Sequence, residues 1–290
     1  MTDKDAIKFT KGHGTENDFV LVADLEGAHE VTAEQVRLLA NRRAGIGADG
    51  VIRVVPTEMA VEQYVRDQGA RARWFMDYRN ADGTTAEMCG NGARVFAAYL
   101  RREGLETADE FAIATRGGIK VVHFEGDLIA VNLGDWRIVD ADGAHEKGFD
   151  AMVKVHGHDA MPGLSLDLGN PHAVVALPDS ADLASLDLTW APEVNPAPVN
   201  GTNVEFVQPI GPGHIAMRVH ERGVGETRSC GTGAAAAALA TRWWAGAGTA
   251  TDVWRVDLPG GTLRVRALPD QQVELAGPAV LVADGVTTLI

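Results

Sequence analysis

Cysteine is nearly absent from this chain: Cys89 and Cys230 are the only two in 290 residues. Two thiols so far apart in sequence cannot make a disulfide scaffold. No Cys-x-x-Cys or His-x-x-x-His spacing accompanies them to build a zinc site. Basic residues are also scarce, 26 Lys and Arg against 40 Asp and Glu, for a net charge of −14. So acidic a chain is not steered toward nucleic acid or an anionic membrane. An anionic substrate is still allowed, because a few local donors outweigh a screened global charge. No apolar run approaches the roughly 18–20 residues of a membrane span. The longest, Gly233 to Ala240, is mostly alanine. The segment Met1 to Lys11 is charged and has no apolar core of signal-peptide length, which predicts a cytoplasmic protein. His156-Gly157-His158 is a close histidine pair, but its polar, Gly-containing setting reads as a solvent-facing turn. No metal is expected.

What is present is an ordinary globular composition, 46% hydrophobic and 23% charged, enough for one large or two medium domains with real cores. Strands and helices alternate around Gly turns. Ile7 to Phe9 and Phe19 to Ala23 read as strands parted by a loop over Lys11 to Asp18. Thr32 can cap a helix whose apolar positions are Val36, Leu39 and Ala40. Val51 to Val55 reads as a strand stopped by Pro56, and Arg71 to Tyr78 as another, leading to a turn over Asn80 to Gly83. Cys89-Gly90-Asn91-Gly92-Ala93 then opens a helix, and three strands follow between Phe111 and Leu133. The second half repeats the plan. Strands at Ala173 to Leu177, Val204 to Val207 and Ile215 to His220 precede Cys230-Gly231-Thr232-Gly233-Ala234, which opens a helix to about Trp244, and a strand meander closes the chain. Asn17 and Asn170 each lie shortly before a strand. The pattern suggests a duplicated unit with a boundary near residues 133–135. The polar stretch Thr57 to Arg71 receives no role.

Each cysteine is followed by Gly-x-Gly, which lets the backbone turn tightly and leaves N–H groups bare at a helix start. Such a start stabilises a thiolate and binds carboxylates. Bringing a thiol from pKa ~8.5 to ~7 takes roughly 2 kcal/mol at about 1.36 per unit. A helix terminus supplies ~0.3–1 and at most ~2 kcal/mol, and desolvation opposes it, so a neighbouring polar group should help. One isolated cysteine would read as a small buried hydrophobe. Two at matching helix starts suit inversion of a carbon acid, one thiolate removing a proton as the other thiol delivers one. A hydrolase would instead need one nucleophile with a base beside it. Gly231-Thr232-Gly233-Ala234-Ala235-Ala236 also matches a dinucleotide fingerprint, but it follows a polar turn rather than a strand, and no acidic residue ends a second strand at the required distance.

At these residues the sequence resembles the diaminopimelate epimerases over nearly its whole length. The likeness rests on Lys11 to Val20, Asn80 to Gly83 with Glu87 to Arg94, Gly169 to Ala173, and Glu221 to Thr227 with Cys230 to Gly233. The resemblance implies an α+β fold of two pseudo-symmetric lobes, each a β-barrel-like sheet wrapped around a central helix. The lobes would span 1–134, with 279–290 returning to the first, and 135–278. It implies a pyridoxal phosphate-independent epimerase that interconverts LL- and meso-2,6-diaminopimelate, in lysine and peptidoglycan precursor biosynthesis. Cys89 and Cys230 would be the acid–base pair, tuned by His172 and Glu221. Asn17, Asn80, Asn170, Asn203, Glu221 and Arg222 would contact substrate through side chains. Gly90, Asn91, Gly231 and Thr232 would hold the reacting carboxylate at the helix starts. No cofactor is expected, and the partners would be a small-molecule substrate and a second copy in a homodimer, with no nucleic acid and no membrane.

Taken alone, each Asn could be a turn residue, His172 a strand-edge histidine, and Glu221-Arg222 an exposed ion pair. Some family members carry further cysteines where Val95 and Ala235 stand, and some carry Gln in place of Gly50. Proline racemase-like enzymes also use two cysteines, but show His in place of Asn91 and a different lead into the second motif. The phenazine-pathway isomerases lack the cysteine pair. A non-enzymatic amino-acid carrier would need no thiols.

Overall fold

The computed structural model describes residues 6–178, 180–246 and 251–289. Met1 to Asp5 of the charged N-terminal segment lie outside the described residues. Contacts divide the chain into two units, residues 1–131 with 277–290, and residues 132–276.

In the first unit, strands β1 (Ile7–Gly14) and β2 (Asn17–Ala23) form an antiparallel hairpin. Helix α1 (Ala33–Ala40) leads to β3 (Gly50–Pro56), parallel to β2. The short α2 (Gln63–Arg66) precedes β4 (Trp74–Asn80), antiparallel to β3. Helix α3 (Gly90–Arg102) then carries the chain to β5 (Glu110–Ala114), parallel to β4, and to the antiparallel β6 (Lys120–Glu125) and β7 (Leu128–Asp135).

The second unit begins with β8 (Arg137–Ile138), α4 (Ala141–Lys147) and β9 (Ala151–Lys154). It continues through β10 (Met161–Asp167), β11 (Pro171–Ala176), β12 (Glu193–Asn195), β13 (Asn203–Gly211), β14 (His214–Glu221) and β15 (Gly225–Thr227). Helix α5 (Gly231–Ala245) is followed by β16 (Val253–Leu258), β17 (Gly261–Ala267) and β18 (Gln272–Gly277). Strand β19 (Val280–Thr287) belongs to the first unit and pairs antiparallel with β1.

The order of pairings from β1 to β7 is antiparallel, parallel, antiparallel, parallel, antiparallel, antiparallel, with α3 between β4 and β5. The same order runs through β10, β11, β13, β14, β16, β17 and β18, with α5 between β14 and β16. Registers make the match residue by residue. Phe19 lies opposite Gly50, and Gly50 opposite Asn80. His172 lies opposite Asn203, and one step beyond the Val204–His220 pair Asn203 meets Glu221. Asn17, Gly50, Asn80 and Cys89 therefore correspond to Asn170, Asn203, Glu221 and Cys230.

Each unit curls its mixed sheet around one helix. Helix α3 packs against β1, β2, β3, β4, β6 and β19, and α5 against β10, β11, β13, β14, β16 and β17. Both are therefore buried along most of their length, which periodicity alone would read as a core helix. In α5 the residues Ala234 to Ala238 are fully buried, so methyl-sized side chains let the strands approach closely on every side. Helix α1 starts as its sequence dictates: the Thr32 hydroxyl accepts the Gln35 amide, Gln35 reaches back to the Thr32 amide, and Val36, Leu39 and Ala40 are buried. A buried ion network braces the first unit. Arg53 donates to Asp24 at 2.6 Å and to Asp77 at 3.4 Å, while Arg116 donates to Asp77 at 2.7 Å and to Glu62 at 2.6 Å.

Several expectations need correction. Lys11 to Asp18 is not a loop: β1 runs to Gly14, β2 starts at Asn17, and only Thr15 and Glu16 turn, at φ 50° and 64°. The ladder continues through this stretch, with Lys11 opposite Val20 and His13 opposite Asp18, and the Lys11 ammonium pairs with the Asp18 carboxylate at 2.6 Å. Pro56 ends β3 from within, and β4 starts at Trp74 and runs on to Asn80 rather than spanning Arg71 to Tyr78. Thr57 to Arg71 holds a 3-10 turn and α2. Strands β8, β9, β10 and β12 and helix α4 were not expected.

Candidate functional site

Cys89 and Cys230 occupy the same position in the two units, the N-cap of α3 and of α5. Each backbone is extended there (φ −136° and −119°), so the sulfur folds back over the first turn. The Gly92 amide donates to Cys89 Sγ at 3.5 Å and the Gly233 amide to Cys230 Sγ at 3.3 Å. A capping thiol thus takes a donor otherwise left bare, and the partial positive charge of the helix start favours its ionised form. Both cysteines are free thiols.

In the first unit, the Cys89 thiol donates to Asn17 Oδ1 at 3.5 Å, and Asn91 Nδ2 donates to the same oxygen at 3.2 Å. Asn17 Nδ2 in turn donates to Asp49 at 2.8 Å. Asp49 also accepts from Arg42, which forks onto Asp18. Burial works against the Asp18 carboxylate, but hydrogen bonds from Arg42 and Lys11 hold it well below the usual carboxylate range. The Asn17 side chain is therefore oriented from behind by a charged cluster. Asn80 accepts from the Tyr78 hydroxyl at 2.9 Å and donates to Thr84 at 3.1 Å. A Cβ on Gly50 would stand 2.5 Å from the Tyr78 ring. That ring fills the place where a longer residue at position 50 would go.

Behind Cys89 lies Arg94, fully buried on α3. Its guanidinium donates to the Gly90 and Pro278 carbonyls and to the Thr15 hydroxyl, each at 3.3 Å. Burial pulls its pKa down to about 10, and the charge of Cys89 works the other way. The Thr15 contact also holds the left-handed turn before Asn17, a conformation a β-branched residue adopts only when its surroundings impose it.

The second unit is built differently around the same frame. Cys230 Sγ lies 3.6 Å from the Thr232 hydroxyl, and Asn170 Nδ2 donates to that hydroxyl at 3.2 Å. His172 stands 3.1 Å from Asn170 Oδ1 through Nε2 and 2.7 Å from Glu205 Oε1 through Nδ1. Asn203 accepts the Arg222 amide at 2.9 Å, and the Arg222 guanidinium donates to the Asn200 carbonyl. Glu221 accepts from the Thr227 hydroxyl. Burial pushes the Cys230 thiol well above its ordinary value, and the carboxylates of Glu221 and Glu205 push the same way. The Gly233 amide and the Thr232 hydroxyl oppose them.

Within each unit the expected residues thus gather at the helix start. Asn17, Gly90 and Asn91 surround Cys89; Asn170, Gly231, Thr232 and, at one remove, His172 surround Cys230. Asn80 and the Asn203–Glu221–Arg222 group stand on the strand ends that the register aligns with these starts. The sequence patterns do not single out Tyr78, Asp49 or Glu205, and they give Arg94 no role. Glu205 had a visible signal: it is the one charge in Val204 to Val207, a strand apolar enough to be central.

Residues 9–139 and 164–282 match the family model described as diaminopimelate epimerase. The diaminopimelate epimerase of Streptomyces coelicolor is 49% identical, over 96% of this chain and 94% of the relative. That of Mycolicibacterium smegmatis is 45% identical, over 96% and 95%. Among solved structures, a phenazine biosynthesis protein of the PhzF family from Bacillus anthracis superposes with a TM-score of 0.67 at 16% identity, over 97% of this chain and 99% of that one. A hydroxyproline epimerase from Agrobacterium vitis does so with a TM-score of 0.63 at 14% identity, over 99% and 94%. Likenesses at this identity show the fold alone, the α+β arrangement of a sheet around a helix in each unit. No helix among the described residues is long and apolar enough to cross a membrane.

Proposed function

The chain belongs to the diaminopimelate epimerase family, and we propose that it interconverts LL- and meso-2,6-diaminopimelate with Cys89 and Cys230 as a two-base pair. The observation that carries the reading is the repeated geometry: each unit presents one thiol at the N-cap of its central helix, with a glycine amide on the sulfur. One cysteine, as thiolate, removes the α-proton from one face. The other, as thiol, delivers a proton to the opposite face, and the centre inverts. The proton taken stays on the first sulfur and the second is left as thiolate, so the pair is poised for the reverse reaction. The α-carboxylate, held by amides of the helix starts, takes up charge as the carbanion forms, which is preorganised electrostatic stabilisation. No pyridoxal phosphate or metal takes part in this scheme.

Asn17, Asn91, Asn170 and Thr232 bind near the reacting carbon, Glu221 acts on Cys230 beside it, and Asn80, Asn203 and Arg222 bind near the far end of the substrate. A polar site of this kind rejects analogues whose missing groups leave its own donors unpaired. Lysine, lacking the second carboxylate, is then a very poor substrate. The enzyme works in the cytoplasm as a homodimer, supplying lysine and peptidoglycan precursors. Replacing either cysteine by serine should reduce turnover roughly 10²–10⁴-fold, the usual range for losing one positioned acid or base. A Cys89→Ser or Cys230→Ser variant with full turnover would falsify the pairing.

A further inference from the structure

We propose that Glu205 is a positioning residue for Cys230, holding His172 as an imidazolium and so fixing the direction of a hydrogen-bonded chain that ends on the Cys230 sulfur. The chain lies within the second unit and runs from Glu205 Oε1 to His172 Nδ1 (2.7 Å), from His172 Nε2 to Asn170 Oδ1 (3.1 Å), from Asn170 Nδ2 to Thr232 Oγ1 (3.2 Å), and from Thr232 Oγ1 to Cys230 Sγ (3.6 Å).

The chemistry of each group sets the direction. A carboxylate only accepts, so His172 Nδ1 carries hydrogen. An amide oxygen only accepts, so Nε2 carries hydrogen too. Asn170 spends an N–H on Thr232, and the single hydroxyl hydrogen of Thr232 is then free to point at sulfur. Charge balance agrees. The side chains of His172 and Glu205 are both 0% exposed, and Glu205 Oε2 is buried without a hydrogen-bond partner. The imidazolium is therefore the counter-charge to Glu205. Glu221, at the end of β14, is the other carboxylate acting on this sulfur.

The fold does not require this pair. At the equivalent positions the first unit has Phe19 and Ile52, whose side chains stand 3.4 and 3.3 Å from where a Cβ on Gly92 would be. Apolar residues of similar volume commonly replace a buried ion pair at no loss of stability. In the second unit the same point, on Gly233, lies 2.7 Å from Glu205 Oε1 and 3.2 Å from Cys230 Sγ. A costly pair thus stands beside the helix start that carries the reacting sulfur in the second unit, where the first unit has apolar residues.

This inference rests on the reading of Cys230 as a reacting thiol, and its test reads the sulfur without turnover, so either can fail alone. The measurement is the rate of Cys230 alkylation by iodoacetamide at neutral pH, resolved from Cys89 by peptide mass spectrometry. In Glu205→Gln the carboxylate that pushes the Cys230 thiol up and the imidazolium that balances it are lost together, so His172 becomes neutral with no change in net charge, and Asn170 turns to meet the bare nitrogen. Thr232 then donates to Asn170 instead of sulfur. Thr232→Val removes the same hydrogen bond directly. Each variant should slow alkylation roughly two- to ten-fold, the worth of one hydrogen bond, and the double variant should be no slower than either single one. Effects that multiply, or a Glu205→Gln protein that is unchanged or faster, overturn the proposal. Nitrogen-15 NMR of the unaltered enzyme gives an independent reading: both ring nitrogens of His172 should be protonated at neutral pH, and one bare nitrogen overturns it.

Discussion

Gly233→Ala should destabilise the protein where Gly92→Ala barely does, although both substitutions add one methyl at the same position of duplicated helices. In a helix, alanine is favoured over glycine by up to ~1 kcal/mol, so both variants begin with a gain. At Gly92 the new Cβ meets Met76 Cε at 2.8 Å. That atom is the free end of a flexible thioether and can move, so the gain and the crowding cancel. At Gly233 the new Cβ meets Glu205 Oε1 at 2.7 Å, and that oxygen is held by His172 inside the core. Overpacking costs ~1–3 kcal/mol, and against an atom that cannot move it falls at about 2–3 kcal/mol, which less the gain leaves a net loss of about 1–2 kcal/mol. At about 2–4 °C per kcal/mol, Gly233→Ala should melt roughly 2–8 °C below the parent, with Gly92→Ala close to it. The same methyl stands 3.2 Å from Cys230 Sγ, and a misplacement near 1 Å can cost about 10²-fold in rate. Calorimetry of both variants decides the matter. Equal melting temperatures would refute the claim that Glu205 is pinned against the helix start.

Glu221→Gln removes a carboxylate that pushes the Cys230 thiol up, so the pH profile of Cys230 alkylation should move to lower pH; an unmoved profile separates Glu221 from this sulfur. The raised thiol pKa also predicts alkaline destabilisation: the folded state keeps its proton beyond the ~8.5 at which the unfolded thiol ionises. That contribution is complete below ~8.5 and is lost as pH rises through the folded value. Cys230→Ser should flatten the alkaline fall in urea-measured stability, and an equally steep fall would refute the assignment. Asp77→Ala leaves the buried Arg53 and Arg116 without a shared carboxylate and should cost about 3–5 kcal/mol; a loss under ~1 kcal/mol would show that Asp24 and Glu62 suffice.

What the sequence makes legible is local. Thr32 with Gln35 marks a helix start because both partners of the capping box lie within one turn. Cys-Gly-x-Gly-Ala marks the other two starts for the same reason, and its repetition exposes the duplicated plan. The missed features depend on partners remote in sequence. Thr15 and Glu16 carry no Asn-Gly turn signal, and the hydroxyl of Thr15 accepts from Arg94, on a helix far down the chain. Glu205 reads as an odd charge in a strand until the parallel β11–β13 register brings His172 beside it. Asn80 looks like a turn residue because it serves twice, ending β4 and accepting the Gly83 amide that closes the turn. Short elements such as α4 and β12 have too few residues for periodicity to register.

The central claim, two thiols inverting one carbon, is tested most directly by hydrogen isotope at early times. LL-diaminopimelate is incubated with the enzyme in deuterated water, the reaction is stopped at a small fraction of conversion, and both isomers are analysed by mass spectrometry. A proton taken by one sulfur and a deuteron given by the other predict one α-deuterium in each meso molecule and none in the recovered LL substrate. Substrate hydrogen retained in the meso product, or deuterium entering the LL pool as fast as product forms, would mean that a single group serves both faces and would contradict the account.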